Sequence, residues 1–372
     1  MANFMCPFCY NSYAQKAILY VCPDCGKEAP PVGREPIKCV QSGCGGLATN
    51  RVCPSCTNII PTIALQTPNL RFSMVGISTS GKTNYITVML EELMNNSRLR
   101  LAMGSQTNET KDHHKENRRL MYEERTALPA TNRGEAPPQI WYISNLAKQK
   151  TGLFSGSTVP KYTFSIYDGA GENYRDMEPT EIRYIKSSEA FIITLDPLIL
   201  KGVQDYVDPE VVRVNYKAGA EHVNSTEIVQ NLVNYLKNIK GIPADKPLKI
   251  PVAIVLTKFD TIMAHSSFNN TLVKKASSCI RNGLVSMEEF NQVHGEIENW
   301  LLEIKELNFL NELEASFSSR NWRGKVTKHY KFFAVSSFGA TPTEEGTVVQ
   351  KIQPHRVLDP MLWLFKLKNF VD

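Results

Sequence analysis

A chain of 372 residues, 42 % of them apolar and 21 % charged, can bury a large core and has room for two domains, which excludes a largely disordered protein. Its 42 basic and 37 acidic residues leave a formal charge of +5, too small a surplus to argue nucleic-acid binding by itself. The N-terminus MANFMCPFC lacks the charged and apolar regions of a secretory signal, and the apolar run from Ala190 to Leu200 is broken by Asp196 and too short to span a bilayer. A soluble, cytoplasmic protein with no membrane span is expected.

Eight of the nine cysteines lie between Cys6 and Cys56, in four pairs: Cys6 with Cys9, Cys22 with Cys25, Cys39 with Cys44, and Cys53 with Cys56. In a reducing compartment such a cluster points to metal and not to disulfides. A C-x-x-C turn lets two thiolates reach one tetrahedral ion, and two turns close a site with no open position. Residues 1–62 are therefore read as a double zinc ribbon holding two Zn²⁺. Sequential pairing is preferred, with Cys6, Cys9, Cys22 and Cys25 on one ion and Cys39, Cys44, Cys53 and Cys56 on the other. Spacing also permits a crossed arrangement, with alternate pairs sharing an ion. Cys279 reads as a core thiol. Within the ribbons five basic residues (Lys16, Lys27, Arg34, Lys38 and Arg51) face three acidic ones (Asp24, Glu28 and Glu35), which is no nucleic-acid stripe. Docking of a protein partner or plain structural support is favoured. Residues 63–69 read as a linker.

From residue 70 to 372 the pattern changes to strands alternating with helices. The strand Leu70–Gly76 runs into Gly76-Ile-Ser78-Thr-Ser80-Gly81-Lys82-Thr83, a G-x-x-x-x-G-K-T loop, and a helical stretch from Asn84 to Met94 follows. Glycines let backbone N–H groups curl around phosphate, and the helix N-terminus adds its positive end. Lys82 would contact the outer phosphates, and the Thr83 hydroxyl would ligate Mg²⁺. A second strand ends in Asp168-Gly-Ala-Gly171, where Asp168 would hold Mg²⁺ through water and the Gly171 amide would sense a γ-phosphate. The apolar strand Ile250–Leu256 ends in Thr257-Lys258-Phe-Asp260. A carboxylate there accepts both N1–H and the 2-amino group of guanine, which adenine cannot offer, while the lysine stem covers the purine face. Phe332–Val335 leads to Ser336 and Ser337, placed to back the base.

Four such elements in this order resemble the Ras-like small GTPases, and the Thr-Lys form of the base motif is like that of the Rho group. The resemblance implies a doubly wound, mostly parallel α/β sheet of about six strands, with strands near 139–145, 161–168, 189–196, 250–257 and 329–336 besides the first. Helices are expected near 175–187, 226–240 and 286–316, with a last one from Leu358 to Phe370 packing on the core. The cofactors implied are GTP or GDP and Mg²⁺. Switch I falls in an enlarged insert, where Thr131 of Leu128-Pro-Ala-Thr131 is the chosen magnesium threonine and Thr126 the runner-up. His113 and His114, in a charged run, read as solvated. The family usually carries glutamine after the D-x-x-G glycine to orient water, and Glu172 stands there instead, so slow intrinsic hydrolysis is expected. The ribbons, the enlarged domain, Leu195-Asp196-Pro197 and Pro360 are together similar to bacterial zinc-ribbon double-GTPase proteins, associated with conflict or signalling systems. That implies a switch acting on protein partners, with nucleic acid not favoured. Two other readings stay open: a scaffold that binds GTP without hydrolysing it, and a zinc-ribbon ATPase acting on nucleic acid.

Overall fold

Every residue of Val252–Leu256 is buried, as in a strand covered on both faces. Alternate side chains of this strand enter two separate cores. Val252, Ile254 and Leu256 lie in one, and Ala253 and Val255 lie in the other. That division sets the architecture, a seven-stranded sheet with helices on each side.

The computed structural model describes residues 3–29, 37–76, 80–129, 138–148, 150–152, 156–168, 179–204, 206–207, 225–343, 346–348 and 350–372. The central strands are β1 (Asn69–Gly76), β2 (Leu101–Ser105), β3 (Gln139–Asn145), β4 (Lys161–Asp168), β5 (Ala190–Leu195), β6 (Val252–Leu256) and β7 (Tyr330–Ala334). Their spatial order is β7-β6-β5-β1-β4-β3-β2. All neighbours pair in parallel except β3, which is antiparallel to both β4 and β2. From β1 the chain first crosses to the far edge at β2 and works back inward through β3 to β4 beside β1, then adds β5, β6 and β7 in turn on the other side. The order therefore reverses at β1, where open α/β sheets place a ligand beyond the carboxyl ends of their strands.

The helices are α1 (Lys82–Asn95), α2 (Asn108–Arg118), α3 (Pro179–Ser187), α4 (Ser225–Lys240), α5 (Met287–Glu303), α6 (Leu307–Phe317) and α7 (Asp359–Leu367). One face of the sheet is covered by α3, α4 and α6, and the other by α1 and α7; α5 contributes to both cores, through Val293 and Trp300 on one side and Phe290 on the other. In α7, Met361, Leu362, Leu364 and Phe365 are buried, the core-packing face expected. Among the described residues no helix is long and apolar enough to cross a membrane.

Two expectations need correction. The sheet has seven strands, because Leu101–Ser105 pairs with β3 as a half-buried edge whose Leu-Ala-Met-Gly-Ser sequence carries little strand signal. The single helix expected over 286–316 is two helices. Lys305 turns left-handed (φ 65°) between them, and the Glu306 carboxylate accepts from Gly202 N at 3.1 Å and Ser225 Oγ at 3.3 Å. That tertiary bond needs the chain to turn there.

In the N-terminal module Leu19–Val21 pairs with Glu28–Ala29 on one side and with Asn50–Val52 on the other. The second pairing brings the end of the module back to its beginning. The segment read as a linker holds a short helix, Thr62–Gln66, whose Ala64 is buried, and Thr67 Oγ1 lies 2.9 Å from Thr163 Oγ1 at the start of β4.

Candidate nucleotide site and metal centres

The return of Asn50–Val52 onto Leu19–Val21 decides which cysteines meet. The tetrads are Cys6, Cys9, Cys53 and Cys56, and Cys22, Cys25, Cys39 and Cys44, with the sulfurs of each within 4.8 Å of one another. The pairing is nested, first pair with fourth and second with third. It is neither the sequential arrangement preferred from the sequence nor the alternate one left open, because a knuckle's partner is chosen by strand pairing and not by chain distance. Tetrahedral zinc with Zn–S near 2.3 Å holds its sulfurs about 3.8 Å apart. The spacings Cys6–Cys56, 3.8 Å, Cys9–Cys53, 3.7 Å, Cys22–Cys44, 3.8 Å, and Cys25–Cys39, 3.4 Å, fit that ion. Each tetrad can hold one Zn²⁺.

Three knuckles close alike: Tyr10, Gly26 and Thr57 each donate their N–H to the carbonyl of the cysteine four residues before. All three are left-handed, at φ 55°, 71° and 58°. Only one is glycine, so two side chains accept a conformation costing roughly 1–2 kcal/mol. The Cys6 tetrad shares its core with Phe4, Phe8, Ile18, Ile60 and Ile140 of β3, and the Tyr10 ring stands edge-on to Tyr184 of α3 at 4.9 Å. Hydrogen bonds from Cys6 and Cys9 hold the Cys56 thiol below the usual thiol range. The Cys22 tetrad has a smaller core of its own, with Ala29, Ile37 and Ala48, and Cys25 is exposed.

At the carboxyl edge of the sheet, Gly76 ends β1 against β5. A Cβ on Gly76 would lie 2.3 Å from Thr194 Oγ1 and 2.5 Å from Thr194 O, so nothing larger fits. Gly81 caps α1 in the left-handed region, φ 73°, with Tyr85 N donating to its carbonyl at 2.9 Å. The buried Lys82 reaches back to Gly76 O at 3.4 Å, and Ser80 Oγ lies 2.8 Å from Thr194 Oγ1. Thr83 Oγ1 donates to Asp168 Oδ2 at 2.8 Å, joining residues 85 apart in the chain. A hydroxyl and a carboxylate so placed are the hard oxygen donors that Mg²⁺ takes.

The end of β5 ties this group to the next. Thr257 donates to Leu195 O from its backbone N at 2.9 Å and from Oγ1 at 3.1 Å. Asp196, 1 % exposed, accepts from Leu198 N and pairs with Lys258 Nζ at 2.6 Å, fixing a lysine that is itself left-handed at φ 50°. Asp260 accepts from Ser336 Oγ at 2.5 Å through Oδ1 and from Thr341 Oγ1 at 3.2 Å through Oδ2. Ser337 follows half-buried. Sequence reasoning missed Thr194 and Thr341, which belong to no motif and become visible only when strands and loops meet. Ser78, Thr131, Gly171 and Glu172 lie outside the described residues. Thr126 is held by a backbone bridge to Thr347. His114 corrects an expectation: it is 7 % exposed, bonds Glu91 at 3.2 Å and stands edge-on to Trp141, whereas His113 is exposed.

The base-motif loop is held from behind. His355 exchanges two backbone hydrogen bonds with Ser336, and its ring stacks on Phe259 at 5.6 Å. Next to it Arg356, 5 % exposed, pairs with Glu289 at 2.7 Å and Asp359 at 2.9 Å and donates to the carbonyls of Leu272 and Lys275. Burial raises the Asp359 pKa. Removing the cation alone strands two buried carboxylates. Arg356→Met is therefore expected to cost about 3–5 kcal/mol in denaturant unfolding; a variant as stable as the parent would show that the carboxylates do not need it.

Fold and site together define a mixed α/β protein with one loaded sheet edge and two cysteine tetrads. No family model matches the chain, and no curated protein matches it. Among solved structures, the crystal structure of the bacterial selenocysteine-specific elongation factor EF-Sec aligns with 82 % of this chain, at 12 % identity and a TM-score of 0.29. The chain spans 30 % of the length of that protein.

Proposed function

We propose that the chain is a GTP-binding switch with slow intrinsic hydrolysis, acting in the cytoplasm on a protein partner that docks on its zinc ribbons. The observation that carries this reading is the meeting of Thr83 and Asp168 at 2.8 Å beside the Gly81-capped start of α1. Gly76, Ser78, Ser80, Gly81 and Lys82 would cradle the phosphates, with Thr83, Asp168 and Thr131 around Mg²⁺. Thr257, Lys258, Asp260, Ser336 and Ser337 would take the guanine, and the two hydroxyls already on Asp260 aim its carboxylate. The ribbons and the P-loop pattern suggest kinship with zinc-ribbon double-GTPase proteins of conflict or signalling systems.

Nucleotide released from the purified chain by acid and separated by chromatography tests the base. GDP or GTP is expected; ATP or ADP in its place would overturn the guanine assignment and favour an ATPase.

The rate is a second expected result. An ionised Glu172 beside the γ-phosphate adds negative charge where phosphoryl transfer needs it neutralised. Glu172→Gln should leave single-turnover hydrolysis unchanged or raise it. If the glutamine variant loses most of a fast parental rate, Glu172 is a base and the switch is not slow. A parent that shows no turnover even with Glu172→Gln favours the scaffold reading, in which GTP is held and not spent.

A further inference from the structure

Between α6 and β7 the chain forms a hairpin, Ser318–Arg320 paired with Val326–Lys328. Its tip carries Trp322, 85 % exposed, whereas Trp141, Trp300 and Trp363 are all buried. The tip is rigidly built. Asn321 Oδ1 accepts from Arg323 N at 3.0 Å and Lys325 N at 2.9 Å, Arg320 Nη1 donates to Gly324 O at 3.2 Å, and Gly324 takes φ 77°. The Arg323 guanidinium lies 4.4 Å from the centre of the indole ring. From Ser318 to Thr343 there is no acidic residue, while Arg320, Arg323, Lys325, Lys328 and Lys331 are basic. Among the described residues, Glu298 of α5 reaches the hairpin, pairing with Lys328 at 2.5 Å.

Three kinds of partner use an exposed indole. A protein interface surrounds it with other apolar groups, and a bilayer needs several apolar residues at the inserted end. Here the tip residues around Trp322 are Asn321, Arg323, Gly324 and Lys325, and the other large hydrophobic exposed on the hairpin is Val326, at 37 %. An indole standing alone among cations matches a partner that offers flat rings on an anionic chain. We infer that the hairpin Ser318–Lys328 binds single-stranded nucleic acid, a base stacking on Trp322 and phosphates meeting Arg320, Arg323 and Lys325. The small charge surplus of the ribbons spoke against nucleic acid at the N-terminal module, and the hairpin is a different surface. It sits at the amino end of β7, whereas Ser336 follows the carboxyl end, so strand and any bound nucleotide would occupy opposite edges of the sheet. The inference does not depend on which nucleotide the other edge takes.

The test is fluorescence anisotropy of fluorescein-labelled oligo-dT and oligo-rU, each about 20 nucleotides, with the full chain at low salt, together with quenching of the exposed tryptophan emission. Binding with quenching is expected. Trp322→Ala should weaken binding about tenfold and Trp322→Phe much less, and Lys325→Gln should lower the salt slope by about 0.7. The variants sit on an exposed tip and should melt with the parent. No binding at low salt, or equal binding by Trp322→Ala, overturns the proposal. So does competition by polyglutamate as effective as by oligo-dT, which would show plain polyanion attraction to a protein-like acidic partner. Trp322-dependent binding to phosphatidylserine vesicles without oligonucleotide binding would place the indole in a membrane instead.

Discussion

Asp260→Asn is expected to weaken GTP binding by more than about a hundredfold, and to make the chain prefer xanthosine triphosphate. The carboxylate would accept two hydrogen bonds from guanine, and charge-assisted bonds of this kind are worth about 1.5–3 kcal/mol each. The asparagine presents an amide NH₂ to guanine donors, which repels them, but it can donate to the 2-carbonyl of xanthine. The substitution should be tolerated by the fold. Ser336 and Thr341 reach Asp260 through hydroxyls at 2.5 and 3.2 Å, and a hydroxyl can donate to the amide oxygen or accept from the amide nitrogen. Calorimetric titration with both nucleotides, alongside a melting curve, makes the check. A variant that still prefers GTP would show that Asp260 does not touch the base.

The second large effect concerns metal. The double variant Cys9→Ser with Cys56→Ser should keep one zinc by elemental analysis. Under nested pairing both residues serve the same ion, whereas sequential or alternate pairing puts them on different ions and predicts none. Single variants should also differ in kind. The Cys6–Cys9–Cys53–Cys56 tetrad shares its core with Ile140 of the central sheet, and Tyr10 stands against Tyr184. Cys9→Ser should therefore lower the melting temperature of the whole chain by roughly 4–8 °C, the shift that loss of about 2 kcal/mol gives a large domain. Cys25→Ser should release one zinc and loosen only the second ribbon, whose core is Cys22, Ala29, Ile37 and Ala48. Equal melting shifts for the two single variants would mean that the first ribbon is not part of the main fold.

By itself the amino-acid sequence determined which chemistry each segment can offer, because that depends on residue type and short spacing. Paired cysteines announce thiolate sites, apolar runs such as Val252–Leu256 announce buried strands, and Gly81 before Lys82 announces a left-handed turn into a helix. Where long-range pairing makes the choice, spacing was silent or misleading. The half-buried edge β2 has no strong period, and Lys305 breaks a good helical pattern so that Glu306 can meet Gly202 and Ser225. His114, in a stretch as polar as any on the surface, is buried because α2 lays it against Glu91 and Trp141. Only the tertiary structure decided the nested cysteine tetrads, since the pairing of Leu19–Val21 with Asn50–Val52 brings the first and last knuckles together, and that strand pairing joins residues about 30 positions apart.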